Sequence, residues 1–168
     1  MTFPRDKRPV LPMVPQQAPS EDSLTGLVAS IRDAALADRR SRGLPVCRVT
    51  LDLSDDHAPA VGPALLREIL EPLLAGAIAR AARTTADRAR RSDAPSLHEV
   101  VVTSIAFADA IEIEVADSCP GPARLHDAAA VGASLERIGG TITATHCPEG
   151  GTAFTVRLPR RRQNRMAA

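Results

Sequence analysis

A chain of 168 residues, 44 % of them hydrophobic, is long enough for one well-buried domain. With no Trp, no Tyr and three Phe, the core has to be built from Leu, Ile, Val and Ala, and the scarcity of aromatic platforms argues against single-strand nucleic-acid recognition. A net charge of +1, from 21 Lys+Arg against 20 Asp+Glu, provides no global field to draw in a polyanion or an acidic membrane.

Cys47, Cys119 and Cys147 form no Cys-x-x-Cys pair, and their odd number argues against a disulfide framework and for a reducing cytoplasm. No apolar run is long enough to span a bilayer, and the N-terminus lacks the apolar centre of a signal peptide, so neither membrane insertion nor export is expected.

Residues 1–22 carry Pro4, Pro9, Pro12, Pro15 and Pro19 among polar residues, a composition that favours extended, solvated chain. It reads as a tail or linker, with a docking peptide for a Pro-binding groove as the sharper alternative. Ser23 is placed to cap a helix in which Leu24, Leu27, Val28, Ile31, Ala35 and Leu36 recur at helical spacing, with Gly43 as its stop. Cys47, Val49, Leu51 and Leu53 then alternate with Arg48, Thr50 and Asp52, the pattern of a half-buried strand.

A second helix is predicted over 64–83, its stripe running through Leu66, Ile69, Leu70, Leu73, Leu74, Ala77 and Ile78. Pro72 lies inside it. A proline there removes a backbone donor and costs roughly 3 kcal/mol, which predicts a kink or a restart. From 84 to 96 the chain is polar and Arg-rich, a helix end and loop that reads as solvated connector or as basic patch.

Strands follow at 98–107 and from Ile111, joined through Asp109 and Ala110. In the second, Ile111, Ile113 and Val115 alternate with Glu112 and Glu114 until Asp117, where Pro120 and Gly121 turn the chain. From the residues alone this is a strand that ends by holding one acid over the edge of a sheet. A helix over 127–138 stops at Gly139-Gly140, and strands at 141–145 and 152–158 close the pattern before Pro159 and the arginines that follow.

Taken together, these segments resemble the histidine-kinase-like ATPase (GHKL) family over roughly 24–159. The segment Asp117 to Gly121 resembles its Asp-x-Gly-x-Gly turn, and Gly151-Thr152, Phe154-Thr155-Val156 and Leu158-Pro159 resemble its closing hairpin. The resemblance implies an α+β two-layer sandwich, a mixed sheet of about five strands with about three helices on one face. It divides the chain into a tail (1–22), one ATPase-like domain (23–159) and a basic C-terminal tail (160–168). It also implies that Asp117 accepts the adenine amino group, with Gly121 and Thr152 beside it.

Elsewhere the chain departs from the family pattern. Aligned on the helix that in relatives presents two Asn to the phosphates and Mg2+, the corresponding positions are Pro72 and Gly76, neither with a side-chain oxygen for a hard cation. Cys119 stands where the turn has a glycine, and reads either as a packed thiol or as a redox-active one. The glycine-rich lid is missing, and Asp127 places a negative charge at the helix N-terminus, where it caps well but repels phosphate.

The expectation is therefore a degenerate ATP-binding domain: a non-catalytic regulatory or interaction module in bacterial signal transduction, cytoplasmic, with a protein partner. It needs no cofactor, holds ATP weakly at most and has no Mg2+ or other metal ligands. The alternative is an ATP-binding protein kinase of the stand-alone anti-sigma or sensor-kinase type with an atypical pocket.

Overall fold

A computed structural model describes residues 23–54, 57–89, 98–120, 125–147 and 150–160. The first element is helix α1, Leu24–Ser41. Ser23, in extended backbone, caps it by accepting the Gly26 amide on its Oγ at 3.0 Å. At the other end the Gly43 and Leu44 amides return to the carbonyls of Arg40 and Arg39, a Schellman closure. Leu24, Leu27, Val28, Ile31 and Leu36 form the buried face, the stripe that the periodicity predicts.

Strand β1 (Arg48–Asp52) leads through a loop to helix α2 (Pro63–Ala89), and α2 returns to strand β2 (Glu99–Ala106), which pairs parallel with β1. A crossover helix is what parallel pairing of successive strands requires. β2 and β3 (Ala110–Asp117) form an antiparallel hairpin whose turn is closed by the Phe107 amide on the Ala110 carbonyl at 2.8 Å. Helix α3 (Leu125–Glu136) precedes a second antiparallel hairpin, β4 (Thr141–His146) and β5 (Thr152–Pro159), and β5 docks on β3. The sheet order is β1-β2-β3-β5-β4. Among the described residues this is the α+β architecture expected: one mixed five-stranded sheet and three helices.

The period of two along the strands decides where the core sits. Val100 and Val102 on β2, Ile111, Ile113 and Val115 on β3, and Phe154, Val156 and Leu158 on β5 are all buried. Cross-strand register sets them side by side, Val102 opposite Val115 and Val115 opposite Phe154. All three helices pack on this one face, with α2 touching both α1 and α3. Phe154 heads the largest fully buried side chains. Among the described residues no helix is long and apolar enough to cross a membrane.

Three expectations need correction. α2 does not restart at Pro72: the helix runs unbroken through it for 27 residues. Ile69, Leu70, Leu73 and Leu74 flank the proline and are buried to within 1 %. At about 1.5–3 kcal/mol for each such side chain, packing on both sides outweighs the lost backbone bond.

α2 also extends beyond residue 83, with Thr84 and Thr85 folding their hydroxyls back onto the Arg80 and Ala81 carbonyls (3.1 and 2.9 Å). The rest of the Arg-rich connector, 90–97, lies outside the described residues. α3 is Leu125–Glu136, displaced two residues toward the N-terminus from the expected 127–138. The reason is its last turn, in which the Ile138, Gly139 and Gly140 amides bond Leu135 and Glu136 as a tightened closure.

Arg160 is tied to the sheet's edge loops. Its amide bonds the Asp109 carbonyl at 2.9 Å, its guanidinium bonds the Phe107 carbonyl at 3.1 Å, and it bridges Pro59. The expected tails at 1–22 and from residue 161 onward lie outside the described residues.

Candidate functional site

β3 carries Ile111, Ile113, Val115 and Asp117 on its helix-facing side, so the row of apolar side chains that builds the core ends in a carboxylate. Register places Asp117 between Val100 of β2 and Thr152 of β5. Asp117 is 4 % exposed and Thr152 2 %. The two residues that the resemblance assigns to the adenine side are therefore neighbours.

Arg80 of α2 meets that carboxylate. Its Nη2 and Nε donate to Asp117 Oδ2 at 2.7 and 3.0 Å, while Oδ1 accepts the Cys119 amide at 3.0 Å. The Arg80 side chain is 11 % exposed and that of Asp117 1 %, which makes this a buried ion pair. The Arg80 Cζ also stands 5.6 Å from the centre of the Phe154 ring, within range of a cation–π contact.

Around this pair the turn is held by backbone and side-chain bonds. His98, buried, donates Nδ1–H to the Ser118 carbonyl at 3.2 Å. The Ser118 amide donates to the Glu99 carbonyl, and the Ser118 Oγ accepts the Glu99 amide at 3.0 Å. Cys119 is buried, and burial pushes its thiol pKa up. Cys47, whose Sγ lies 3.7 Å from the Ile78 carbonyl, is pushed up by burial to about 11. Raised values make both thiols poor nucleophiles, which favours the packed reading of Cys119 over the redox one.

Pro72 and Gly76 are half-buried on α2. Steps of four place Pro72, Gly76 and Arg80 along one face of the helix, and only the third carries a polar side chain. Asp127 falls in the first turn of α3, its side chain outside the described residues, as is Gly121 entirely. The structure thus brings Asp117, Thr152 and Cys119 together with Arg80 and Thr84, two residues that the sequence reading did not single out. Steps of four put Arg80 and Thr84 on the helix face of Gly76, but nothing local in the sequence ties either of them to Asp117.

A cleft of about 320 Å3 opens at the same strand ends, lined by Val101 and Ala116, whose side chains alternate away from the helices, and by Glu99, Asp117, Ser118, Cys147 and Gly150; the Asp117 side chain itself is 1 % exposed. Among the described residues no group of His, Cys, Asp and Glu is arranged to hold a metal ion.

No protein-family model matches the sequence, and no curated protein matches it. Solved structures do. The catalytic domain of the histidine kinase ThkA, in a nucleotide-free form, superposes with a TM-score of 0.61 at 15 % identity, over 82 % of this chain and 94 % of that domain. The Acinetobacter baumannii histidine kinase AdeS matches with a TM-score of 0.55 at 18 % identity, over 83 % of this chain and 66 % of that one. At these identities the likeness is one of architecture. The chain has the fold of a histidine-kinase catalytic domain, the GHKL-like ATPase fold.

Proposed function

We propose that this protein is a histidine-kinase-like ATP-binding domain turned to non-catalytic use, a regulatory or interaction module that works in bacterial signal transduction, in the cytoplasm, through a protein partner. Phosphoryl transfer requires positioned phosphates and a metal to neutralise developing charge. The observation that carries the reading is on α2: at Pro72 and Gly76 the helix offers no side-chain oxygen, and a hard divalent cation takes oxygen ligands. Asp127 in the first turn of α3 adds negative charge where a helix N-terminus would otherwise favour phosphate. The architecture shared with ThkA and AdeS, two histidine kinases, supports the signalling context.

A second reading, an ATP-dependent protein kinase of the stand-alone anti-sigma or sensor-kinase type, draws on the retention of Asp117 directly opposite Thr152. Isothermal titration with ATP and ADP, each with and without Mg2+, separates the two. The first reading expects any binding to be weak and unchanged by Mg2+. Micromolar binding that requires Mg2+ would replace it with the second.

A further inference from the structure

The Asp117 carboxylate is already in use. An ionised carboxylate offers about four acceptor positions. Three are taken from within the chain: two on Oδ2 by Arg80 and one on Oδ1 by the Cys119 amide. With the side chain 1 % exposed, the fourth is covered as well. A base amino group approaching Asp117 therefore finds three of the four positions occupied and the last one shielded from solvent.

Arg80 is held in that position from several sides. Its Cζ lies over Phe154, itself fully buried, and its backbone belongs to the stretch of α2 where Ala77, Ile78, Ala81 and Ala82 are wholly buried. The guanidinium is thus anchored by the core, and it does not wave in from the surface. The Cys119 amide and the His98 and Ser118 bonds hold the carboxylate side equally firmly.

From this we propose that Arg80 occludes the base end of the cradle: its guanidinium occupies Asp117, and a purine reaches that carboxylate only when the ion pair opens. The inference rests on the reading that Asp117 faces the base, and it is independent of what has been lost at Pro72 and Gly76. Apparent affinity falls in proportion to the fraction of molecules in the open form. A closed pair therefore weakens every adenine ligand alike, whatever its phosphates.

Adenosine, which has no phosphate and takes no Mg2+, is the probe that isolates this end. Titrated calorimetrically into the full chain, it is expected to show no saturable binding at millimolar concentration with the unmodified protein. Arg80→Met, checked for native circular dichroism, is expected to bind adenosine at least roughly tenfold more tightly. Adding Asp117→Ala to Arg80→Met is expected to remove the gain.

If Arg80→Met does not fold, Arg80→Gln takes its place under the same criteria, since it keeps a polar side chain at that position but loses the positive charge and the planar two-donor grip. Equal affinity in unmodified and variant chains, or a folded variant that gains nothing, overturns the proposal. Mg2+-dependent ATP binding by the unmodified chain would instead overturn the regulatory reading, so the two failures are told apart.

Discussion

Gly151 sits so close to the backbone carbonyl of Asp117 that a Cβ added to it would overlap the oxygen. Its φ of +108° is in addition a conformation that side chains other than hydrogen rarely adopt. The same contact brings β5 against the end of β3 and so sets Thr152 opposite Asp117.

Gly151→Ala should therefore lose at least about 3 kcal/mol, the upper end for one strained backbone position, because strain and overlap add. The midpoint of urea unfolding reads this directly. A loss below about 1 kcal/mol would mean that the turn between β4 and β5 relaxes freely.

Stability also tests the buried pair. Asp117→Ala strands the Arg80 guanidinium, and Arg80→Met strands the carboxylate, so each single variant should lose about 3–5 kcal/mol. Removing both leaves neither charge unpaired. The double variant should consequently lose less than the two singles summed, with a coupling of about 2 kcal/mol in a double-mutant cycle. Additive losses would show that the two groups do not interact in solution.

Pro72 deprives α2 of one backbone donor, and the helix passes through it only because the flanking turns are packed. Pro72→Ala is expected to raise stability by about 1–3 kcal/mol. Thermal unfolding followed by circular dichroism at 222 nm, the wavelength at which the helical signal is conventionally read, is the measurement. An unchanged or lowered midpoint would mean that the proline ring fills a place in the packing that a methyl group leaves empty.

The thiols give a pH prediction with a definite sign. Burial raises Cys47 from 9.0 to about 11, so the folded state prefers the neutral thiol. Its contribution to stability is full below pH 9.0 and is lost as pH rises toward about 11. A Cys47→Ala chain should therefore show a shallower decline over that window than the unmodified protein. At neutral pH the thiolate fraction of Cys47 is roughly a hundredfold below that of an unperturbed thiol, so alkylation followed by mass spectrometry should modify Cys47 far more slowly in the folded chain than in the urea-unfolded chain. Cys47 labelling at the same rate in folded and unfolded chains would contradict the burial.

The elements and most of their bounds were legible from local pattern, whereas their layered arrangement was legible only through the family resemblance. Ser23 and Gly43 mark the ends of α1 because capping is chemistry between residues a turn apart. The alternation Ile111, Ile113, Val115 reads as a half-buried strand because side chains leave a strand on opposite faces in turn. Pro72 was misjudged on the same scale. Its helix cost is local, whereas the burial of Leu70, Leu73 and Leu74 that overrides it comes from the sheet and the neighbouring helices.

The candidate site divides along that line. That Asp117 stands at the end of a buried strand, and that Pro72 and Gly76 bring no oxygen to α2, follow from residue type and spacing in the sequence by itself. That Arg80, 37 positions away along the chain, closes on Asp117 was decided only by the packing of α2 against β3. An ion pair between distant residues leaves no periodic trace, because its two halves share no local geometry until the sheet and the helix have come together.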